Sequence, residues 1–209
     1  MRKYFAEAIA TFCLLLIGTG SVILDHKTAG GVSLLGISLI TGLVVTIMIL
    51  LVGKMSGAHM NPAVTLALIA KKELSFHEFA PYLLAQAIGA FAGTFTLSLI
   101  FGYNYSLGET IPSIQIGYAF IIEVVLSFFL LLTIFYSSDR FPVLAPWIIG
   151  LYVAIGIFLG GNYSGGSMNP IRSLSPAVLN DNYAGQWIFF TAPFIGAVLA
   201  TIIYKNKKA

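Results

Sequence analysis

Apolar residues run along this chain in six stretches, Tyr4 to Leu24, Val32 to Val52, Glu78 to Phe101, Gln115 to Ser137, Leu144 to Gly160 and Gln186 to Tyr204. Each approaches the roughly 20 residues a helix needs to cross a hydrocarbon core of about 30 Å. The breaks carry turn chemistry: Asp25 to Gly31, Lys71 to Ser75, Gly102 to Ser113, Ser138 to Pro142 and Asn180 to Gly185. Two further apolar stretches, Ala63 to Ala70 and Ile171 to Leu179, are too short to span. A helix of about ten residues rises only about 15 Å, so each is predicted to reach no further than the midplane. Both follow Asn-Pro, where Asn can cap a helix and Pro at its first position gives up an N–H that has no partner anyway.

The Asn-Pro segments are copies of one frame. Ser56-Gly57-Ala58-His59-Met60-Asn61-Pro62 returns 108 residues later as Ser164-Gly165-Gly166-Ser167-Met168-Asn169-Pro170, and Gly42 matches Gly150 at the same offset. Glu7, Thr11 and Phe12 match Glu123, Ser127 and Phe128 at an offset of 116; Ala85, Ile88, Gly89 and Ala90 match Ala192, Ile195, Gly196 and Ala197 at 107. The repeat unit is therefore three spans and one half-helix. Because three is odd, the second copy must start on the opposite side of the bilayer and run inverted. The predicted fold is an all-α membrane bundle of six spans and two half-helices in one domain: repeat one at 1–102, a connection at 103–114 and the inverted repeat at 115–209.

Composition agrees with this placement. The chain of 209 residues is 58% hydrophobic and only 9% charged, against about 25% charged in soluble domains, and its mean hydropathy is +0.92. The N-terminal run looks superficially like a signal peptide, but its recurrence in mid-chain marks it as a span. The net charge of +3 reflects topology, with no basic stripe for nucleic acid. Arg2, Lys3, Lys54, Lys71, Lys72, Arg140, Lys205, Lys207 and Lys208 fall on one side of the six-span layout, Lys27 and Arg172 on the other, which puts both termini in the cytoplasm. Short tails point to a bacterial inner membrane. Asn104-Tyr105-Ser106 and Asn162-Tyr163-Ser164 fit a glycosylation pattern by chance, and His26 and His77 read as solvated. One cysteine, Cys13, excludes an intrachain disulfide and a Cys-based metal site. No nucleophile triad, carboxylate pair or phosphate loop supports an enzyme, and no cofactor or metal is expected.

Polar groups at membrane depth are few: Glu7, Glu123, Gln86, His59, Asn61, Asn169 and Arg172. A charge near the centre of a span costs about 2.5 to 3.5 kcal/mol, so such residues mark function. The loops Gly57 to Met60 and Gly165 to Met168 are irregular backbone that must be buried in protein or line a wet cavity. Their carbonyls are candidate pore ligands, and Glu7 and Glu123 are natural acceptors for their N–H groups. Two helix N-termini meeting at the midplane, each with roughly half a positive charge, oppose cations and offer donors to a neutral oxygen. The same arrangement also suits an anion, so electrostatics alone leave the substrate open.

Asn61-Pro62-Ala63, Asn169-Pro170-Ile171, the Ser-Gly-x-x-Met-Asn-Pro frame, Arg172, Glu7 and Glu123 together resemble the major intrinsic protein family, the aquaporins and glycerol facilitators. The resemblance covers essentially the whole chain. It implies a right-handed hourglass channel in each subunit of a homotetramer set in the lipid bilayer, with water or small neutral solutes in single file. It implies a proton block at the two Asn residues and an acceptor ladder from the carbonyls of Gly57, Ala58, His59, Gly165, Gly166 and Ser167. Ile171 stands where Ala is usual, which would add bulk beside Asn169. The family's outer constriction corresponds to Thr41, Ile157, Gly166 and Arg172. A strict water channel resembles Phe, His, a small residue and Arg there; this chain keeps Arg and loses both bulky residues. Ser173 stands where glycerol facilitators place Asp, and Ala177, Phe189 and Phe190 follow in the water-channel manner. The mixture resembles the plant nodulin-type intrinsic proteins and their bacterial relatives. The expected function is passive passage of glycerol-like polyols, boric or arsenous acid, and water. The alternatives are a water-selective channel with a divergent filter, an ion-coupled transporter, or a closed structural membrane protein.

Overall fold

The computed structural model describes residues 1–103 and 106–206; Asn104 and Tyr105 of the first glycosylation match, and Lys207 and Lys208 of the charge count, lie outside them. Eight helices follow one another among the described residues: α1 (Arg2–Lys27), α2 (Ser33–Ser56), the half-helix α3 (Pro62–Ala70), α4 (Phe79–Phe101), α5 (Ile116–Arg140), α6 (Ala145–Gly160), the half-helix α7 (Pro170–Leu179) and α8 (Trp187–Asn206). All but the half-helices and α6 are long and apolar enough to cross a membrane. The remaining predicted span, Leu144 to Gly160, is the apolar helix α6, shorter than the other five. With 16 residues, α6 rises about 24 Å, because Pro146 fixes its first turn and Gly160-Gly161 lead straight into the loop before α7. That loop lies inside protein, which removes the need for helix at its depth.

Local chemistry sets the other ends. α2 runs four residues past the predicted Val52, through Lys54, and stops where Gly57 takes a left-handed conformation at φ 87°. Asn61 and Asn169 cap the half-helices with their side-chain oxygens, from Ala63 N at 2.9 Å and from Ile171 N at 3.2 Å. Leu35, Leu39, Leu43, Ile47 and Leu51 form one exposed stripe along α2, suited to lipid. The cytoplasmic end is tied by Lys71, which reads in sequence as a plain loop charge. Its side chain is only 8% exposed, pairs with Glu73 at 2.6 Å and Asp139 at 3.0 Å, and lies over the rings of Phe135 and Tyr204.

Helices pair as α1 with α4, α5 with α8 and α2 with α6, and glycines set each crossing. A Cβ on Gly89 would overlap the Ala8 carbonyl; one on Gly196 would overlap that of Val124. Ala8 and Val124 are 116 apart, as Glu7 and Glu123 are, so the two crossings are copies of one contact. Between the repeats, Gly42 and Gly150 meet face to face, each Cβ falling against the other's carbonyl. Gly89→Ala is expected to destabilise the protein by about 1–3 kcal/mol, because the obstacle is helix backbone. Thermal unfolding in detergent checks this, with Gly117→Ala as control, since nothing lies within 4 Å of a Cβ there.

Candidate functional site

The site is built on two irregular loops with the same backbone. Gly57, Ala58 and Met60 have positive φ (87°, 49° and 52°), and so do Gly165, Gly166 and Met168 (99°, 58° and 53°). This fold-back turns two successive N–H groups of each loop toward one carboxylate. Glu7 accepts from His59 N at 3.1 Å and Met60 N at 2.5 Å. Glu123 accepts from Ser167 N at 2.9 Å and Met168 N at 2.8 Å. Both carboxylates are fully buried. Their third donors break the symmetry: Gln86 Nε2 at 2.9 Å for Glu7, and the Ser164 hydroxyl at 2.8 Å for Glu123. A lone Gln in the apolar run of α4 was the available sequence signal for the first of these. For Ser164 the signal is its place at the head of the repeated frame, matched by Ser56.

The half-helices meet through their capping residues. Asn61 Nδ2 donates to the Met168 carbonyl and Asn169 Nδ2 to the Met60 carbonyl, both at 2.7 Å. Each asparagine therefore caps its own helix with its oxygen and clasps the opposite loop with one amide hydrogen, leaving one hydrogen toward the cavity it lines. Behind the loops, His59 Nδ1 lies 3.1 Å from Thr65 Oγ1, and Ser167 Oγ lies 2.6 Å from Ser173 Oγ, again at repeat-matched positions. The His59 ring stacks on Tyr82 with centroids 4.7 Å apart. The connection between the repeats also contributes. Thr110 is buried and donates to Ser173 Oγ at 2.6 Å, and Glu109 accepts from the Asn180 and Asn182 amides. In sequence this segment is only a link.

Two cavities open into the molecule. The larger, about 910 Å³, is lined by Gly57, Ala58, His59, Asn61, Ser167 and Asn169 and reaches a mouth with Lys54, Glu73 and Ser138. The smaller, about 420 Å³, holds Gly165 with Asp25, His26, Glu109 and Thr110. Five residues line both: Thr41, Ile157, Gly166 and Arg172, which sequence reasoning brought together, and Leu14, which it missed. Arg172 sits in the first turn of α7, lining both cavities. A half-helix that begins at depth buries its first turn. Arg172 Nη1 is buried with no hydrogen-bond partner among the described residues.

Pro62, Ala63, Pro170 and Ile171 line neither cavity. Ile171 is 3% exposed and packs with Ala10, Leu14, Met60 and Ile149. The expected bulk beside Asn169 therefore goes into the core and leaves the lumen alone. Among the described residues no three His, Cys, Asp or Glu side chains gather as metal ligands.

This geometry has relatives. The aquaglyceroporin of Plasmodium falciparum superposes with a TM-score of 0.86 at 29% identity, over 97% of this chain and 94% of that one. Aquaporin NIP6-1 of Arabidopsis thaliana is 36% identical over 210 residues, covering 99% of this chain and 69% of the relative. Nodulin-26 of Glycine max is 33% identical over 208 residues, covering 98% and 77%. The sequence profile of the major intrinsic proteins matches residues 1–204, and with the inverted half-helices and their crossed asparagines already in place, the chain belongs to the major intrinsic protein family.

Proposed function

We propose that the protein is a passive membrane channel for water and small uncharged solutes, of the size and polarity of glycerol, boric acid and arsenous acid. The observation that carries this reading is the single set of residues shared by the two cavities. Around it, Arg172 supplies fixed donors and Thr41 and the Gly166 backbone supply oxygens, while Ile157 and Leu14 are apolar. Thr41 Oγ1 already donates to the Ile37 carbonyl at 2.8 Å, so toward the lumen it acts as an acceptor. A lumen polar on one side and apolar on the other suits a polyol, with hydroxyls on one edge and C–H groups on the other. Thr and Ile, in place of an aromatic and a histidine, leave room for such a solute.

Ions are opposed by the positive ends of α3 and α7 and by Arg172, the device general to aquaporin-type pores. In this reading the carbonyls of Gly57, Ala58, His59, Gly165, Gly166 and Ser167 form an acceptor ladder, and Asn61 and Asn169 interrupt the water wire at its centre. The chain acts as one channel domain of two inverted repeats, 1–102 and 115–209, joined by 103–114. It assembles as a homotetramer in a plasma membrane with both termini cytoplasmic, in keeping with the lysine and arginine distribution.

Stopped-flow measurements on proteoliposomes test the reading with water, glycerol, urea, boric acid and arsenous acid. Fluxes are expected to stay unsaturated over a wide concentration range and to ignore sodium and proton gradients. A strict gradient requirement would turn the reading to a coupled transporter, and flux of water alone to a water-selective channel.

A further inference from the structure

Each irregular loop carries one polar side chain that is held from behind. Position 59 is histidine in the first loop, and its repeat mate at 167 is serine. Each meets a hydroxyl six residues on, in the half-helix that follows: Thr65 for His59 at 3.1 Å, Ser173 for Ser167 at 2.6 Å. Those hydroxyls in turn accept from a donor outside the half-helix. Gln86 Nε2 reaches Thr65 Oγ1 at 3.0 Å, and Thr110 Oγ1 reaches Ser173 Oγ at 2.6 Å.

A hydroxyl has one hydrogen and a neutral imidazole one N–H, so the hydrogens can be counted. In the second loop Ser167 spends its hydrogen on the Asn169 carbonyl at 2.9 Å. Ser173 accepts from Thr110, so its own hydrogen goes to Ser167. This relay ends on backbone and leaves no hydrogen for the lumen. In the first loop Gln86 spends its amide hydrogens on the Glu7 carboxylate at 2.9 Å and on Thr65. Turning the amide over would set its oxygen against that carboxylate, so the orientation holds although Gln86 Oε1 is left buried with no partner among the described residues. Thr65 can then give its hydrogen to His59 Nδ1 at 3.1 Å or to the Asn61 carbonyl at 3.2 Å. That carbonyl already accepts from Thr65 N at 3.1 Å, and at the matched position Ser173 donates to the loop side chain. With Nδ1 accepting, the ring hydrogen is on Nε2. This atom lies over Gly57, where a Cβ would come within 2.6 Å of it, and Gly57 and His59 both line the larger cavity.

We infer that Gln86 and Thr65 are positioning residues that hold His59 in the tautomer with its hydrogen on Nε2, giving the larger cavity a neutral side-chain donor. The inference rests on the channel reading above, in which a solute hydroxyl that donates to the carbonyl ladder accepts from His59 as it passes. The first loop thus presents a hydrogen, while the second, with the same backbone, consumes its own.

The test reads the tautomer directly, by solid-state nitrogen NMR of protein with isotope-labelled histidine in lipid bilayers near neutral pH. His59→Asn identifies the His59 signals among the three histidines. The unmodified protein is expected to show a protonated Nε2 and a bare Nδ1 there. Thr65→Val keeps the branched shape without the hydroxyl and is expected to give a mixture of both tautomers, while Thr65→Ser restores the single one. Glycerol flux into proteoliposomes, per inserted protein, should fall about fivefold in Thr65→Val, the worth of one neutral hydrogen bond, and recover in Thr65→Ser. Nδ1–H in the unmodified protein, or Nε2–H persisting alone in Thr65→Val, overturns the inference. If Thr65→Val does not fold, Gln86→Met decides by the same spectrum, with a mixture expected and an unchanged tautomer overturning it. The expected spectra from an unmodified protein that carries no solute would overturn the channel reading and uphold the tautomer.

Discussion

Replacement of Glu123 by alanine is expected to cost the protein about 3–5 kcal/mol and with it all flux, the scale on which removing one partner strands buried groups. The carboxylate has no solvent exposure and accepts from Ser167 N, Met168 N and the Ser164 hydroxyl. In the variant, these donors face a cavity at membrane depth, where no other acceptor is built to receive them. Each orphaned donor costs about 1–3 kcal/mol. The loop would also lose what holds its left-handed residues Gly165, Gly166 and Met168 in place, and Gly166 lines both cavities. Glu123→Gln is the informative companion. Its oxygen can accept, but its amide nitrogen would meet an N–H or hydroxyl donor, so it should lose roughly half as much, in line with the loss of one charge-assisted bond. Thermal unfolding in detergent and the amount of folded protein in membranes measure both. A fully stable, conducting Glu123→Ala variant would show that the loop is held by something else.

The second large effect concerns selectivity. Thr41→Phe combined with Ile157→His is expected to lower glycerol permeability about a hundredfold, while water permeability stays within about threefold, the discrimination a fitted site makes on size and matched polarity. Phe at position 41 would close lumen width that Thr leaves open, and His at 157 would replace an apolar wall by a hydrogen-bonding group that suits water. Arg172 and Gly166 stay, so the donors and the backbone at the constriction are unchanged. The measurement is parallel stopped-flow swelling and shrinking under glycerol and sucrose gradients. Equal loss of both fluxes, or none, would place the selective step elsewhere in the lumen.

What the sequence revealed and what it hid divide along a physical line. The half-helices were legible because Asn-Pro is a local capping signal and because an apolar stretch of about ten residues cannot cross a bilayer. The inversion was legible because an odd number of spans leaves no other option. Glu7 and Glu123 stood out since a carboxylate at membrane depth needs a purpose. The clasp of Asn61 on Met168 and Asn169 on Met60 was hidden because it lands on backbone carbonyls, which every residue has. A π-helical turn in α1, Leu14 to Thr19, was hidden because the stretch reads as ordinary apolar helix. α2 outran its predicted end because Lys54 can extend its ammonium past the apolar surface its stem covers, so a charge in the last turn does not stop the helix. Ile171 was misplaced because sequence position beside Asn169 says nothing about which way its side chain faces.

The lumen is also less symmetric than its backbone. The repeat mates of Thr41, Ile157, Gly166 and Arg172 are Ile149, Ile49, Ala58 and Val64, all lining the larger cavity. The set of residues shared by the two cavities thus includes a threonine and an arginine, while the side chains at the corresponding positions of the other repeat are all apolar. Duplication supplies the scaffold, and the proposed discrimination falls on positions where the copies diverged.

The crossed asparagines bear on how such a chain can be made. The Met60 carbonyl finds its partner in Asn169, 109 residues later. At a synthesis rate of about 5–20 residues per second, that partner emerges roughly 5–20 s after Met60 does. Until then the first re-entrant loop has its glutamate but not its far-side anchor, and α3 is too short to hold itself across the bilayer. The first repeat must therefore wait, inserted but unfinished, and the two half-helices settle in one late, concerted step. Truncation after the first repeat should leave three spans in the membrane and no settled half-helix between them.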